Sequence, residues 1–569
     1  MNLSWFSCWQ ALRAGALLCL VLVSPAVWAA DPPAGAIAAH VEAGEFGLAI
    51  NAAKQLRDAA QRDQALQQIA IAQMQSGARS AAADTLAYVG DDRMRSATVG
   101  QMRSARGGAA MADFDSLIDL VTSTVHPESW KDTGTGEGTI APFPTGVFVD
   151  ADGLLKKRTI QAGRELVGVR AAAQEASGNR DLHRTSALRK VSLTRLEREV
   201  QLRYAQGRAP DEAMQNLAGL TRIQYVLVYP ETGDIVIAGP AGAWETNDEG
   251  RTVNRESGDP VAQLDDFVVV LRNAYAKDAK FGCAITPREE NLAKTKAFVV
   301  ESSKTPLKPG GRDKWVKQLR DTLGRQDIEV FGIDPRTHAA HILVEADYHM
   351  KLIGMGLEEG TPGVKSYLDT VEVGPNGELP AMDVLRWWFT LNYDAVQATK
   401  TRDAFELVGP GVKVLSENEM LTERGQRVHT GKSDDLNSQF AQSFTKHFAA
   451  LADKYPVYAE LRNIFDLALV AGIVRSEDLG QQARWHATHF GTEGAYEPRL
   501  DHAPREVETI VNYRVVRNKH IVAGISGGVS VDTGALVGKN TKTDDYGVLL
   551  AERANSTPTK VAPRHWWWD

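Results

Sequence analysis

From residue 31 to about residue 125 apolar positions recur at helical spacing, and the pattern repeats. A shift of 33 residues lays Gly44 on Gly77, Ala49 on Ala82, Leu56 on Val89, Asp58 on Asp91 and Arg62 on Arg95. Each unit reads as a turn glycine, an apolar helix, an Asp placed to cap a second helix, and an Arg four residues on. The Asp can accept orphan backbone N–H groups and face the Arg. Such a period marks stacked helical hairpins of the tetratricopeptide kind, although that consensus is absent. The units are few and Ala-rich, as at Ala52, Ala53 and Ala81 to Ala83. The repeat is therefore expected to dock on the rest of the chain or on an envelope protein.

A Gly, Thr and Pro-rich stretch from Thr133 to Gly146 cannot hold a helix and reads as a linker. Beyond it, GVFVDADGLL reads as a hairpin turning at Asp152-Gly153, and Leu182 to Gln206 as one amphipathic helix. Tyr225 to Trp244 reads as a hairpin with its turn at Thr232-Gly233-Asp234. A helix over Arg312 to Leu323 precedes two expected strands, IEVFGID and His338 to Met350. Short strands follow between Trp387 and Val414. Next come a helix with Leu436, Phe440, Phe444, Phe448 and Leu451 on one face, and a second helix opened by Pro456. Strands return from Val507.

This order predicts an α+β fold: an N-terminal helical-hairpin repeat (31–130), a linker (131–146) and a mixed, mostly antiparallel body. The body is divided into 147–375 and 376–535, with a C-terminal tail over 536–569.

Residues 1–29 change the picture of where the protein works. Arg13 is their only charged side chain, Ala14 to Val23 is apolar, and Val27 and Ala29 put small residues where a signal peptidase reads. This is the build of a removable secretory signal, so the mature chain is expected to start near Ala30 and to reside in the periplasm or cell envelope. No other apolar run is long enough for a transmembrane span; Ile464 to Val474, which carries Asp466, reads as a buried helix. Removal of the leader takes the formal charge from −8 to −9, with no basic face for nucleic acid. Cys8 and Cys19 leave with it, so Cys283 has no disulfide partner and is expected to be buried.

Several long blocks between Phe114 and Val531 carry a resemblance: ADFDSLIDLVTSTVHPESW, VSLTRLERE, LAGLTRIQYVLVYPETGDIVIAGPAGAW, HILVEADYHMKLIGMGLE, RWWFTLNYDAV and KYPVYAELRNIFDLALVAGIV. The stretch resembles an uncharacterised family of exported proteins from planctomycete-type bacteria, a domain of unknown function. The family pattern has Arg where this chain has His349, and an acid where it has Gly242. The resemblance implies no catalytic residue, cofactor or substrate.

The chemistry in the residues themselves is sparse. Gly524 to Gly528 spells G-x-S-x-G, but the residues after it alternate like a strand where a nucleophile elbow needs a helix, so the segment reads as a Gly-rich turn between strands. Gly431-Lys432-Ser433 lacks the P-loop spacing, and Asp150-x-Asp152-Gly153 lacks the later ligands of a calcium loop. Read as a strand, His338 to Met350 puts His341, Glu345, Asp347 and His349 on one face. These ligand types suit zinc or another divalent metal, and the competing reading is a solvated face opposite a core face. The three tail tryptophans, Trp566 to Trp568, are expected to dock on the protein or a partner. The reading is an exported, non-enzymatic scaffold or protein-binding protein with no cofactor. The alternative is a metal-dependent hydrolase using that face.

Overall fold

The structure is a computed structural model that describes residues 34–104, 139–143, 146–150, 180–304, 311–371, 384–422, 426–501, 503–516, 519–562 and 564–569. The leader, the Asp152-Gly153 turn and residues 105–138 lie outside the described residues. The fold is α+β, with helices first and two large, mostly antiparallel sheets after them.

The repeat folds as its spacing requires. Ala34–Glu42, Phe46–Lys54, Ala59–Gln75, Arg79–Leu86 and Asp92–Ser104 are helices. Gly44 and Gly77 both turn the chain with φ near +73° and +84°, a conformation that strains residues with a Cβ. Asp58 and Asp91 each accept the backbone N–H three residues on, from Gln61 and Met94. Ala49 and Ala82 are fully buried, so the helices approach closely at the same point of both units. Each repeated Arg turns back to a carbonyl six residues before it: Arg62 to Leu56 at 3.5 Å, Arg95 to Val89 at 2.7 Å.

The repeat packs on the body through the Leu193–Gln206 helix, whose Leu202 and Ala205 belong to the repeat's own apolar cluster. Arg95 Nε donates to Gln201 Oε1 at 2.7 Å, and Asp92 Oδ2 accepts from the His486 backbone N–H at 3.0 Å.

One sheet runs Arg427–His429, Gly411–Leu421, Val384–Asn392, Lys519–Asp532, Lys280–Pro287, Arg325–Phe331, Glu506–Glu508, with Val511–Val516 also paired to Lys519–Asp532. The other runs Thr541–Thr543, Ala395–Ala398, Ala404–Val408, Tyr225–Tyr229, Asp234–Ala241, Ser186–Ser192, Trp567–Trp568. Strands from 147–375 and 376–535 thus share both sheets and one apolar core, so the boundary at 375 separates no cores. Nor is the tail an appendage: Trp567 pairs with Val191, and Trp566 and Trp567 are buried.

Three local expectations are corrected. Thr139–Phe143 is a strand paired with Gly146–Asp150, so part of the linker belongs to a hairpin. Leu182 to Gln206 is not one helix: Ser186–Ser192 is a strand, and Ser192 then caps the helix, accepting from Arg195 N. Ser526 lies inside the continuous strand Lys519–Asp532, buried, with its Oγ donating to Glu419 Oε2 at 3.1 Å; the expected Gly-rich turn does not exist.

The Pro456–Ser476 helix is buried on every side from Val457 to Val474 apart from Arg462, as a helix without a water-facing apolar/polar division must be. It packs on the Leu264–Tyr275 and His338–Gly354 helices. Its Asp466 is fully buried and accepts from Arg222 Nε at 2.7 Å and Tyr393 OH at 2.6 Å. Among the described residues, no helix is long and apolar enough to cross a membrane.

Candidate functional site

The segment expected to be a strand, with metal ligands on one face under the alternative reading, is the helix His338–Gly354, capped by the Thr337 hydroxyl, which accepts from Ala340 N. Its buried residues, among them Ala340, Leu343, Asp347, Met350 and Gly354, step at three and four, the period of a helix buried against a core. The correction scatters the four candidates. His341 and Glu345 share one face, one turn apart, with His341 Nε2 and Glu345 Oε2 at 3.6 Å. Asp347 and His349 point into other surroundings.

At the amino end of this helix four elements meet. The Leu264–Tyr275 helix brings Asp266, the Pro456–Ser476 helix brings Glu460, and the loop before the Thr252–Asn254 strand brings Arg251 and Glu249. His338 Nδ1 lies 3.0 Å from Asp266 Oδ2, and its Nε2 lies 3.9 Å from Glu460 Oε1. Arg251 bonds Glu345 and Glu460 at once and contacts Glu249 Oε2 at 3.1 Å. His341 Nδ1 stands 3.6 Å from Asp501 Oδ1.

The electrostatics follow from these contacts. Burial acts most strongly on His338 and alone would lower its pKa; the Asp266 carboxylate, helped by Glu460 and Asp501, outweighs it and lifts the imidazole to about 10. Burial likewise would raise Glu345, but His341 and Arg251 hold it at about 2. Glu460, also buried, is raised, because burial exceeds the pull of Arg251 and His338. Two carboxylates on one guanidinium are thus pushed in opposite directions, an arrangement found at proton-transfer sites and in structural ion networks alike.

Asp347 sits two turns into the protein. It forms an ion pair with Lys351 at 2.6 Å, both side chains wholly shielded from solvent, at angles that fall short of hydrogen-bond geometry. Burial raises the Asp347 carboxyl, with Lys351 opposing. Cys283 lies beside the pair, buried as expected, its thiol pushed up first by burial and then by Asp347. His349 Nδ1 and the Tyr458 hydroxyl are 2.8 Å apart, and its ring meets Tyr455 edge-on.

A second ligand-type cluster escaped the sequence reading. Glu417, Glu419 and His429 lie on adjacent strands with one ligand atom of each within 4.8 Å of the others. Arg386 holds Glu417 at 2.9 Å and Arg427 holds Glu419 at 3.1 Å, so two guanidiniums already balance the two carboxylates. The spacing Glu-x-Glu on a strand was the available signal. His429 joins only through the register that sets it against Glu419.

A family profile described as a protein of unknown function, DUF1598, matches residues 283–367, from Cys283 to Tyr367. This domain therefore holds Cys283, His341, Glu345, the Asp347–Lys351 pair and His349. No curated protein and no solved structure matches the chain.

Proposed function

We propose that the chain is exported, loses its leader near Ala30, and works in the cell envelope as a non-enzymatic scaffold or protein-binding protein. The observation that carries this reading is the Arg251 clamp. One guanidinium ties Glu249, Glu345 and Glu460, so the most chemical side chains of the region are engaged in joining a loop to two helices. The likeness to exported planctomycete-type proteins and the signal-type leader support the location.

The second reading is a metal-dependent hydrolase of the envelope, favoured by His341 and Glu345, which remain neighbours and are about a quarter exposed. Metal analysis of the full mature chain separates the two. The scaffold reading expects no stoichiometric divalent ion and the same thermal midpoint with and without chelator. A stoichiometric ion lost in the His341→Ala variant would overturn it.

A further inference from the structure

Asp347 and Lys351 are two opposite charges that water does not reach. They lie one turn apart on the His338–Gly354 helix, Nζ to Oδ2 at 2.6 Å, with both side chains at 0 % exposure. Asp347 Oδ1 and Oδ2 and Lys351 Nζ have no hydrogen-bond partner among the described residues. Taking two ions out of water costs more than their attraction returns unless further hydrogen bonds complete both, and here that completion is missing. Groups buried in this way are driven toward their neutral forms. Burial does push the Asp347 carboxyl up toward protonation, against Lys351, the Gly528 N–H and Arg386, which favour its charge.

The two groups are also held together. Residues four apart on a helix share a face, so the backbone sets Asp347 and Lys351 side by side. The Lys351 stem lies against Gly527 of the Lys519–Asp532 strand, where a Cβ would come within 3.1 Å of Lys351 Cε. A glycine at this position of the G-x-S-x-G stretch therefore leaves the stem its room. An amine and a carboxyl fixed at this range by helix and sheet need no encounter to react, and no bulk water surrounds them to reverse the reaction.

We propose that Asp347 and Lys351 condense into an amide, a covalent cross-link over one turn of this helix. The charged pair in the structure is the state before condensation. A proton passes from the ammonium to the carboxylate within the pair and leaves a neutral amine and a carboxylic acid. The Nζ lone pair attacks Asp347 Cγ; the Nζ–Cγ bond forms, the bond from Cγ to the hydroxyl breaks, and the hydroxyl leaves as water with a second amine proton. Nothing is oxidised or reduced, and no co-reactant enters. The product removes both charges from the core, which relieves the desolvation that the ion pair bears.

The test is mass spectrometry of the full mature chain, purified folded and then denatured. Its mass should fall short of the sequence by one water. Trypsin should release Thr337 to Lys365 as a single peptide, one water light and uncut after Lys351, because an amidated Nζ carries no charge for the protease to recognise. Fragmentation of that peptide should yield no separated ions from breaks between residues 347 and 351, where the cross-link holds both halves together. Lys351→Arg keeps a cation that cannot condense, so it should show its full mass and be cut after position 351. Should that variant fail to fold, the fragment pattern of the unaltered chain still identifies the bond. A full-mass chain would overturn the cross-link and leave the pair ionic. A lost water with Lys351 still cut would overturn it as well, by assigning a succinimide at Asp347.

Discussion

The two ends of one helix, His338–Gly354, hold charge in opposite ways. At its amino end His338, His341 and Glu345 join a partly hydrated network spread over four elements and fastened by Arg251. Farther along, on another face, Asp347 and Lys351 pair with each other wholly shielded from solvent. The difference teaches what each is for. A network of several partners in reach of water tolerates the loss of one member, whereas an isolated pair in the core recovers its desolvation cost only while both members are present. The dry pair therefore defines how this helix seats on the strands bearing Cys283 and Gly527, and the wet network defines which neighbouring elements it holds.

The sharpest way to break that comparison is Lys351→Met, which keeps the shape and strands Asp347. Stability should fall by about 3–5 kcal/mol in urea unfolding, and Asp347→Leu/Lys351→Met should recover most of the loss. If the single variant costs under about 1 kcal/mol, Asp347 is protonated in the native state and the dry pair is no ion pair. At the wet end Arg251→Met leaves Glu345 and Glu460 without their shared partner. About 2 kcal/mol is expected there, less than for Lys351 because solvent can reach the vacated site. Arg251→Lys should restore little, since one ammonium cannot bond three carboxylates in a planar fork.

What was legible in the sequence was local. Gly44 and Gly77, the Asp58 and Asp91 caps and the paired Ala positions all act within a few residues of themselves, so the repeat could be read directly. The Tyr225–Tyr229 and Asp234–Ala241 hairpin and the Arg312–Leu323 helix were readable for the same reason. The His338–Gly354 helix was misread because His341, Glu345, Asp347 and His349 fall on odd numbers and imitate strand alternation. The Thr337 cap and the burial of Ala340, Leu343, Asp347 and Met350 were the stronger signals. The Ser192 cap inside 182–206 was passed over in the same way. The rest had no local signature. Arg251 and Glu460 are separated by 209 positions, and His429 meets Glu419 only through sheet register. Of the candidate site, one pair of four residues was placed together.

Acidity offers a subtler probe of the wet end. His338, lifted from 6.5 to about 10, contributes stability that is fully present below pH 6.5 and is lost as pH rises through about 10. Glu345, lowered from 4.5 to about 2, contributes stability present above pH 4.5 and lost as pH falls through about 2. Together they place this network's largest contribution between about pH 4.5 and 6.5. Denaturant midpoints across pH 5 to 10 should decline toward alkali, and His338→Gln should flatten that decline. An unchanged slope in the variant would remove Asp266 as the group that holds the imidazole charged.

The smallest effect is expected at His341, and it tests whether the outer edge of the network carries energy at all. Its nitrogens stand 3.6 Å from both Glu345 and Asp501, and its side chain is 27 % exposed. Arg251 is the closer partner of Glu345, so the carboxylate stays ionised without the imidazole. An ion pair of this length in contact with water is worth under about 1 kcal/mol, and His341→Gln should cost no more. That small contribution should also vanish in 1 M salt, where the screening length is about 3 Å, while the loss in Lys351→Met should persist because salt does not reach the core. A cost above about 2 kcal/mol for His341→Gln, insensitive to salt, would make the amino end as dry in behaviour as Asp347 and Lys351. The contrast between the two ends of the helix would then fail.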